Sequence, residues 1–257
     1  MSHNEYKYTE ATVRFYDVLY DQFTGVLRGG KERTDFYLGE IARTDNAILE
    51  AGVGTGMIFV HALQNGADIY GIDNSELMYN KVRSKLDMNE QHRITLQDIR
   101  DFKLEQKFGL IISPFRVFQH LLTIDDQLKA LDSIYNHLED GGRLIFDLFC
   151  PDLTRLHSEI NEMLEYEGEY EKGKYLKRYF SVKPDYINQT QHITFKYVWD
   201  EDGEKSSEYY FPMRYYFRFE IENLIARTKF KLDNIYGDFK KGKLSNKSNE
   251  FVVVCSK

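Results

Sequence analysis

The stretch Ile48–Gly56, ILEAGVGTG, decides how the chain is read. An apolar run ends in a turn with glycines on alternate positions, Gly52, Gly54 and Gly56, and Met57–Gln64 follows as a helix. A strand that runs through such a turn into a helix turns free backbone N–H groups towards a ligand. Dinucleotide enzymes use the spacing GxGxxG and rest a pyrophosphate on the helix N-terminus. Here the third glycine comes one residue early, and an acid, Glu50, stands at the head of the turn.

Outward from this turn, strands and helices alternate. AILEA (47–51), ADIYGID (67–73), RITLQD (93–98), FGLIIS (108–113) and GGRLIFDLF (141–149) read as strands, with helices at Ser75–Leu86 and Asp125–Leu138. Apolar strands separated by amphipathic helices predict a parallel sheet covered on both faces. Upstream, residues 8–23 form a helix with Val13, Tyr16, Val18, Leu19 and Tyr20 near helical spacing, and a second helix covers about residues 31–43. Between 160 and 218 the period changes to two. Ile193, Phe195, Tyr197 and Trp199 share one face, as do Tyr209, Phe211, Met213, Tyr215 and Phe217, and DEDGEK (200–205) between them is a turn. A helix at Glu220–Thr228 and a hairpin of KLDNIYGDF (231–239) and EFVVVCS (250–256) close the chain.

The fold class is therefore α/β: a Rossmann-like, mostly parallel sheet with an antiparallel β insertion after strand 5. Residues 1–45 are a helical segment over the ligand site, 46–158 and 219–257 the core, and 159–218 the insertion, which serves as a lid, a homodimer interface or both. The 257 residues are 42% hydrophobic and 29% charged, which suits a soluble domain with a real core. Neither a membrane span nor a secretory leader is visible, so a cytoplasmic location is expected. Cys150 and Cys255 offer neither a disulfide framework nor a thiolate metal site, and no metal is expected. A net charge of −7 argues against nucleic acid as partner.

Two further acids fall at strand ends. Asp73 closes the second strand, where a carboxylate can accept both ribose hydroxyls of a nucleoside. Asp98 closes the third, placed to accept from an adenine amino group while Ile99 packs the ring. Three carboxylates on one rim disfavour a pyrophosphate and suit a cationic nucleoside, and S-adenosylmethionine carries both an ammonium and a sulfonium.

At these residues the chain resembles the class I S-adenosylmethionine-dependent methyltransferases. LEAGVGTG is similar to their glycine motif, GIDNSELM to the ribose-binding strand end and QDIRDF to the adenine-binding turn, while LEDGGRLIFD looks like their fifth strand and its approach. The resemblance implies seven strands with the last antiparallel. It implies that Glu50 orders the turn and reaches the methionine ammonium, that Met78 packs near the adenine, and that Ala51, Asn74 and Ser113 belong to the cofactor site. A narrower similarity, carried by KYTEATVRFYDVLYD and DIRDFKLEQKFGLIISPFRVFQHL, is to small-molecule N-methyltransferases, including those that dimethylate amino-sugar nucleotides. It implies that Tyr8 and His120 line the reaction centre and that Tyr16 borders the cofactor. GKLSNKSNEF (242–251) lacks the arginine of that subgroup.

In SPFRVFQHL (113–121), His120 has the ordinary pKa range of a base. Phe115 and Phe118 are expected as wall of the substrate pocket, and Arg116 as a solvated or anion-binding side chain. SPFR lacks the Asn/Asp-Pro-Pro-aromatic turn of enzymes that methylate nucleic-acid bases. The expected function is methyl transfer from S-adenosylmethionine to a small molecule, with an amine nitrogen as favoured acceptor. A small-metabolite O-methyltransferase, a nicotinamide-dependent oxidoreductase and a non-catalytic cofactor-binding protein are the alternatives.

Overall fold

The computed structural model describes residues 6–23, 30–156 and 158–257. Residues 1–5 and 24–29 of the expected helical segment, and residue 157 of the core, lie outside the described residues. Helices α1 (Glu10–Phe23) and α2 (Gly30–Ile41) lead into β1 (Ile48–Ala51), α3 (Met57–Gln64), β2 (Ile69–Asp73), α4 (Glu76–Arg83), β3 (Ile94–Leu96) and β4 (Phe108–Ser113). Then come α5 (Ile124–His137), β5 (Leu138–Phe149) and the single turn α6 (Leu153–Leu156). The insertion is β6 (Ile160–Glu171), β7 (Lys174–Asp185), β8 (Thr190–Asp200) and β9 (Glu204–Arg214), followed by α7 (Arg218–Ala226), β10 (Lys231–Tyr236) and β11 (Glu250–Ser256).

The main sheet has seven strands in the order β10-β11-β5-β4-β1-β2-β3, and only β11 runs antiparallel to its neighbours. Because successive side chains on a strand point to opposite faces, each central strand feeds two cores. Leu49, Ile111, Leu144, Phe146 and Val253 meet α5 and α7, through Leu131, Ile134, Ile221 and Ile225. Ile48, Leu110, Ile112, Ile145 and Val252 meet α2, α3 and α4, through Tyr37, Ile58, Phe59 and Val82. The β10–β11 hairpin forms as the sequence predicts.

The insertion is a four-stranded antiparallel sheet. Ile193 and Tyr197 of β8 and Tyr209, Phe211 and Met213 of β9 share a third core with Ala11, Phe15 and Leu19 of α1. The four-residue spacing of those α1 side chains puts them on one helix face. That face docks on the inserted sheet, and the Arg14 guanidinium makes a two-pronged bond to Glu201 in the β8–β9 turn at 2.8 and 2.9 Å. Tyr215 is buried as the alternation implies, but β9 ends at Arg214, and Phe217 is exposed just ahead of α7.

The loop after β4 departs from regular geometry. Phe115 and Arg116 take left-handed backbone angles, φ 57° and 68°, a strain that costs of order 1–3 kcal/mol per residue and persists only where neighbours enforce it. A buried cluster does so. Asp147 of β5, fully enclosed, accepts from Phe115 N–H at 3.0 Å and Tyr37 O–H at 2.8 Å, and pairs with Arg33 at 3.3 Å. Glu250 of β11 pairs with Arg33 at 3.2 Å and with Arg116 at 2.5 Å. Arg116 is thus neither solvated nor free for a substrate anion, as its sequence context suggested; it is an internal tie between the loop and β11. Removing one partner of a buried pair strands the other charge, at a cost of about 3–5 kcal/mol. Asp147→Ala is expected to lower unfolding free energy by that amount in urea titrations, and a loss below about 1 kcal/mol would show that Arg33 finds solvent instead.

Candidate active site

The glycine turn sits at the carboxyl edge of β1, where β4 and β2 flank it. Gly52 has φ +87°, and a Cβ there would lie 2.5 Å from Val117, so only glycine fits beneath the post-β4 loop. Gly54 has φ +58° with nothing within 4 Å of its missing side chain, which leaves its backbone open to close approach. Ser113 and Ala51 are fully buried, and the Ser113 hydroxyl donates to the Ala51 carbonyl at 3.0 Å. They brace the turn from beneath. Lys85, two residues past α4, adds a second brace: its ammonium donates to the Thr55 carbonyl at 2.7 Å and pairs with Asp17 of α1 at 2.8 Å.

Glu50 is buried, 1% exposed. It accepts a backbone hydrogen bond from Phe59 in the first turn of α3, where helix N–H groups lack partners of their own. Its Oε2 has no partner, and neither has the buried Thr55 hydroxyl. Burial pushes the Glu50 carboxyl well above its usual range, and the neighbouring Asp73 pushes it further. Asp73 accepts from Gly54 N–H at 2.7 Å and Ser75 N–H at 2.9 Å; burial raises its pKa, and these two bonds hold it down in part. An orphaned carboxylate oxygen, an orphaned hydroxyl and an open glycine backbone are what a cationic nucleoside would complete, so the residues present fit S-adenosylmethionine.

The rim holds the three acids on neighbouring strands, but Asp98 differs from its expected role. Its carboxylate accepts from Arg100 N, Nε and Nη2 and from Asn74 Nδ2. Burial would raise its pKa, but the Arg100 guanidinium outweighs this and holds it low. An adenine amino group would meet an acceptor whose lone pairs are taken. Asn74, exposed, reaches Asp98; Ile99 and Met78 are buried, and Met78 N–H closes the Ser75 cap of α4 at 3.3 Å. Gly56, φ +88°, ends the turn against Val82.

Beside this edge lies a cluster of aromatic rings. Tyr8 stacks on Tyr209 with ring centroids 4.9 Å apart, Tyr209 on Phe211 at 4.8 Å, and Phe211 packs on His120 at 5.6 Å. Tyr16 stacks on Tyr20 at 4.3 Å, and Tyr20 meets the Phe115 ring edge-on at 6.1 Å. Burial, then Tyr209, then the Asp73 carboxylate raise the Tyr8 phenol well above its usual value, which places this cluster against the acidic rim. Burial, then Tyr20 and Tyr8, do the same to Tyr16. His120 is open to water yet walled by protein, and desolvation alone lowers its imidazole pKa to about 4. The ordinary base range expected from its residue type does not survive that enclosure. Phe118 is not pocket wall: it is 1% exposed and stacked on Phe146 in the core at 4.5 Å. Tyr209, Tyr20 and Phe211 were not foreseen as site residues; the β9 alternation marked the first and last as sharing a face, without saying what they would meet.

Comparison with known proteins agrees with this geometry. Residues 48–142 match the family model described as a methyltransferase domain. Over 102 residues the chain is 30% identical to the dTDP-3-amino-3,4,6-trideoxy-alpha-D-glucopyranose N,N-dimethyltransferase of Streptomyces venezuelae, covering 40% of this chain and 42% of that one. The chain spans about half the length of the first curated relatives it matches. Two solved structures share the fold over nearly the whole chain. One is an S-adenosylmethionine-dependent methyltransferase from Clostridium acetobutylicum, with TM-score 0.78, 18% identity and coverage of 94% of this chain and 97% of that one. The other is the sugar N-methyltransferase KedS8 from Streptoalloteichus, with TM-score 0.71, 16% identity and coverage of 93% and 92%.

The sheet order, the glycine turn and the acidic rim define a class I nucleoside-binding transferase fold. Residues 48–142 match a methyltransferase domain, and the chain shares its fold with the S-adenosylmethionine-dependent methyltransferase described above.

Two outcomes follow from the rim. In the free protein Glu50 holds a proton above the usual carboxyl range, and a bound cation would lower its pKa. Binding therefore releases a proton, and affinity rises with pH between the bound and free pKa values. Calorimetric heats should differ between phosphate and Tris buffers in that window, and a buffer-independent heat would remove Glu50 from the ligand's field. Asp73→Ala should weaken cofactor binding by at least about 1 kcal/mol, the scale of a lost charge-assisted hydrogen bond, with unchanged affinity placing Asp73 outside the site.

Proposed function

We propose that this protein transfers a methyl group from S-adenosylmethionine to a small molecule, with an amine nitrogen as the acceptor. The observation that carries this reading is the continuous line Tyr8–Tyr209–Phe211–His120, laid against the acidic edge that suits a cationic nucleoside. Nitrogen is favoured because the curated relative quoted above is named for N,N-dimethylation. When bound, S-adenosylmethionine supplies a methyl group already activated by its sulfonium.

The chain's own residues would position and shield the acceptor. Aromatic faces attract positive charge, and enclosure by Tyr8, Tyr209 and Phe211 keeps bulk water from the reacting nitrogen. Burial holds both phenols protonated, with Tyr209 pushed well up, so neither acts as a base near neutrality. His120, neutral above about pH 4, can accept a hydrogen bond from an acceptor N–H and orient its lone pair. A base that weak does not strip a proton from an alkylammonium. The acceptor must therefore present its free-base form.

Calorimetry with S-adenosylmethionine and with NAD separates this reading from an oxidoreductase, and binding of NAD alone would overturn it. Product formation with matched amino and hydroxy sugars then distinguishes nitrogen from oxygen acceptors. His120→Ala should lower turnover at least about tenfold, the equivalent of one lost hydrogen bond, with cofactor affinity retained. In the wild type, kcat/KM should rise with pH up to the acceptor's own ammonium pKa. An inflection near the ordinary histidine value of about 6.5 that disappears in His120→Ala would show that the imidazole stores the proton after all.

A further inference from the structure

His120 ends a single turn of 3-10 helix, Val117–His120, which follows two left-handed residues. Such a short turn has poor hydrogen-bond geometry and does not hold its own position. What holds it comes from elsewhere in the chain. Gln119 is fully buried, and both ends of its amide are engaged by backbone: Nε2 donates to the Arg214 carbonyl at 2.7 Å, and Oε1 accepts from Phe149 N–H at 2.9 Å. Arg214 is the last residue of β9, and Phe149 the last of β5. One side chain thus joins the turn to the inserted sheet and to the main sheet.

Neighbouring bonds act on the same segment. The Tyr216 hydroxyl, just past β9, donates towards the Phe118 and Leu121 carbonyls at 3.3 and 3.5 Å. The Arg214 guanidinium donates to the Leu122 carbonyl at 3.1 Å. The end of the insertion therefore grips the residues on both sides of His120, while Phe211 on the same strand packs against its ring.

We propose that Gln119 is a positioning residue: its buried amide lets the inserted sheet set where His120 stands in the aromatic cluster. The proposal rests on the reading of His120 as an acceptor-site group, but its test does not need the acceptor. With 13C-labelled histidine in the full chain, the His120 signal is assigned by its loss in His120→Gln and followed against pH. In wild type a midpoint of about 4 is expected. In Gln119→Met, which keeps side-chain length and removes both bonds, the turn loosens into water and the midpoint moves at least about one pH unit towards the ordinary value of about 6.5. Gln119→Asn, one methylene shorter, reaches only one partner and shows a smaller shift in the same direction, which keeps the test available should the first variant fold poorly. The signals of His61 and His137 should stay in place, and the dissociation constant for S-adenosylhomocysteine should change by less than about twofold. A His120 midpoint unmoved in both variants overturns the proposal, as does a shift shared by the other histidines, which marks general loosening. The two readings fail separately: absence of S-adenosylhomocysteine binding in wild type defeats the methyltransferase assignment, whereas the His120 signal judges the clamp.

Discussion

A carboxylate enclosed at the tip of a parallel strand is the constraint on which the site depends. Glu50 lies in the interior with one oxygen on an α3 N–H and the other without a partner. Burying an isolated charge is costly enough that a proton or a cation must accompany it. The sheet order then puts Asp73 on the adjacent strand, which adds to the demand for positive charge. A diphosphate would aggravate the repulsion and a sulfonium nucleoside relieves it. Electrostatics at this one strand end favours a cationic ligand over an anionic one.

The aromatic cluster at that strand end has a different character. Among its rings are the Tyr8 and Tyr16 phenols, pushed up by burial, and the His120 imidazole, pushed down by it. An acidic floor thus lies beneath an uncharged aromatic wall. The strained Phe115–Arg116 step lies at the junction, held by the Asp147, Arg33 and Glu250 cluster.

Much of this was readable in the residues. Continuous apolar strands, the glycine turn and the change of period at the insertion pointed to the mostly parallel sheet and to the second, antiparallel one; the order of the strands was not in them. Other features depend on contacts that no local pattern announces. Asp98 stands where an adenine amino group could be accepted, yet Arg100, two residues on, is its partner. Phe118 and Phe115 look alike in sequence, and only the left-handed turn between them sends one into the core and the other towards Tyr20. The Arg33–Asp147–Glu250 cluster joins three distant segments, each with an unremarkable charge. The lowered pKa of His120 arises from the protein packed around it, Phe211 of β9 included, which the spacing of its own loop does not encode.

The docking of α1 carries a consequence for how such enzymes diversify. Ala11, Phe15 and Leu19 are sheltered by the four-stranded sheet, and Arg14 is tied to its β8–β9 turn. Grafting a foreign sheet alone would therefore leave an oily helix facing solvent. Helix and sheet form a single cassette, and a recombinant with new acceptor preference would have to inherit both from one parent.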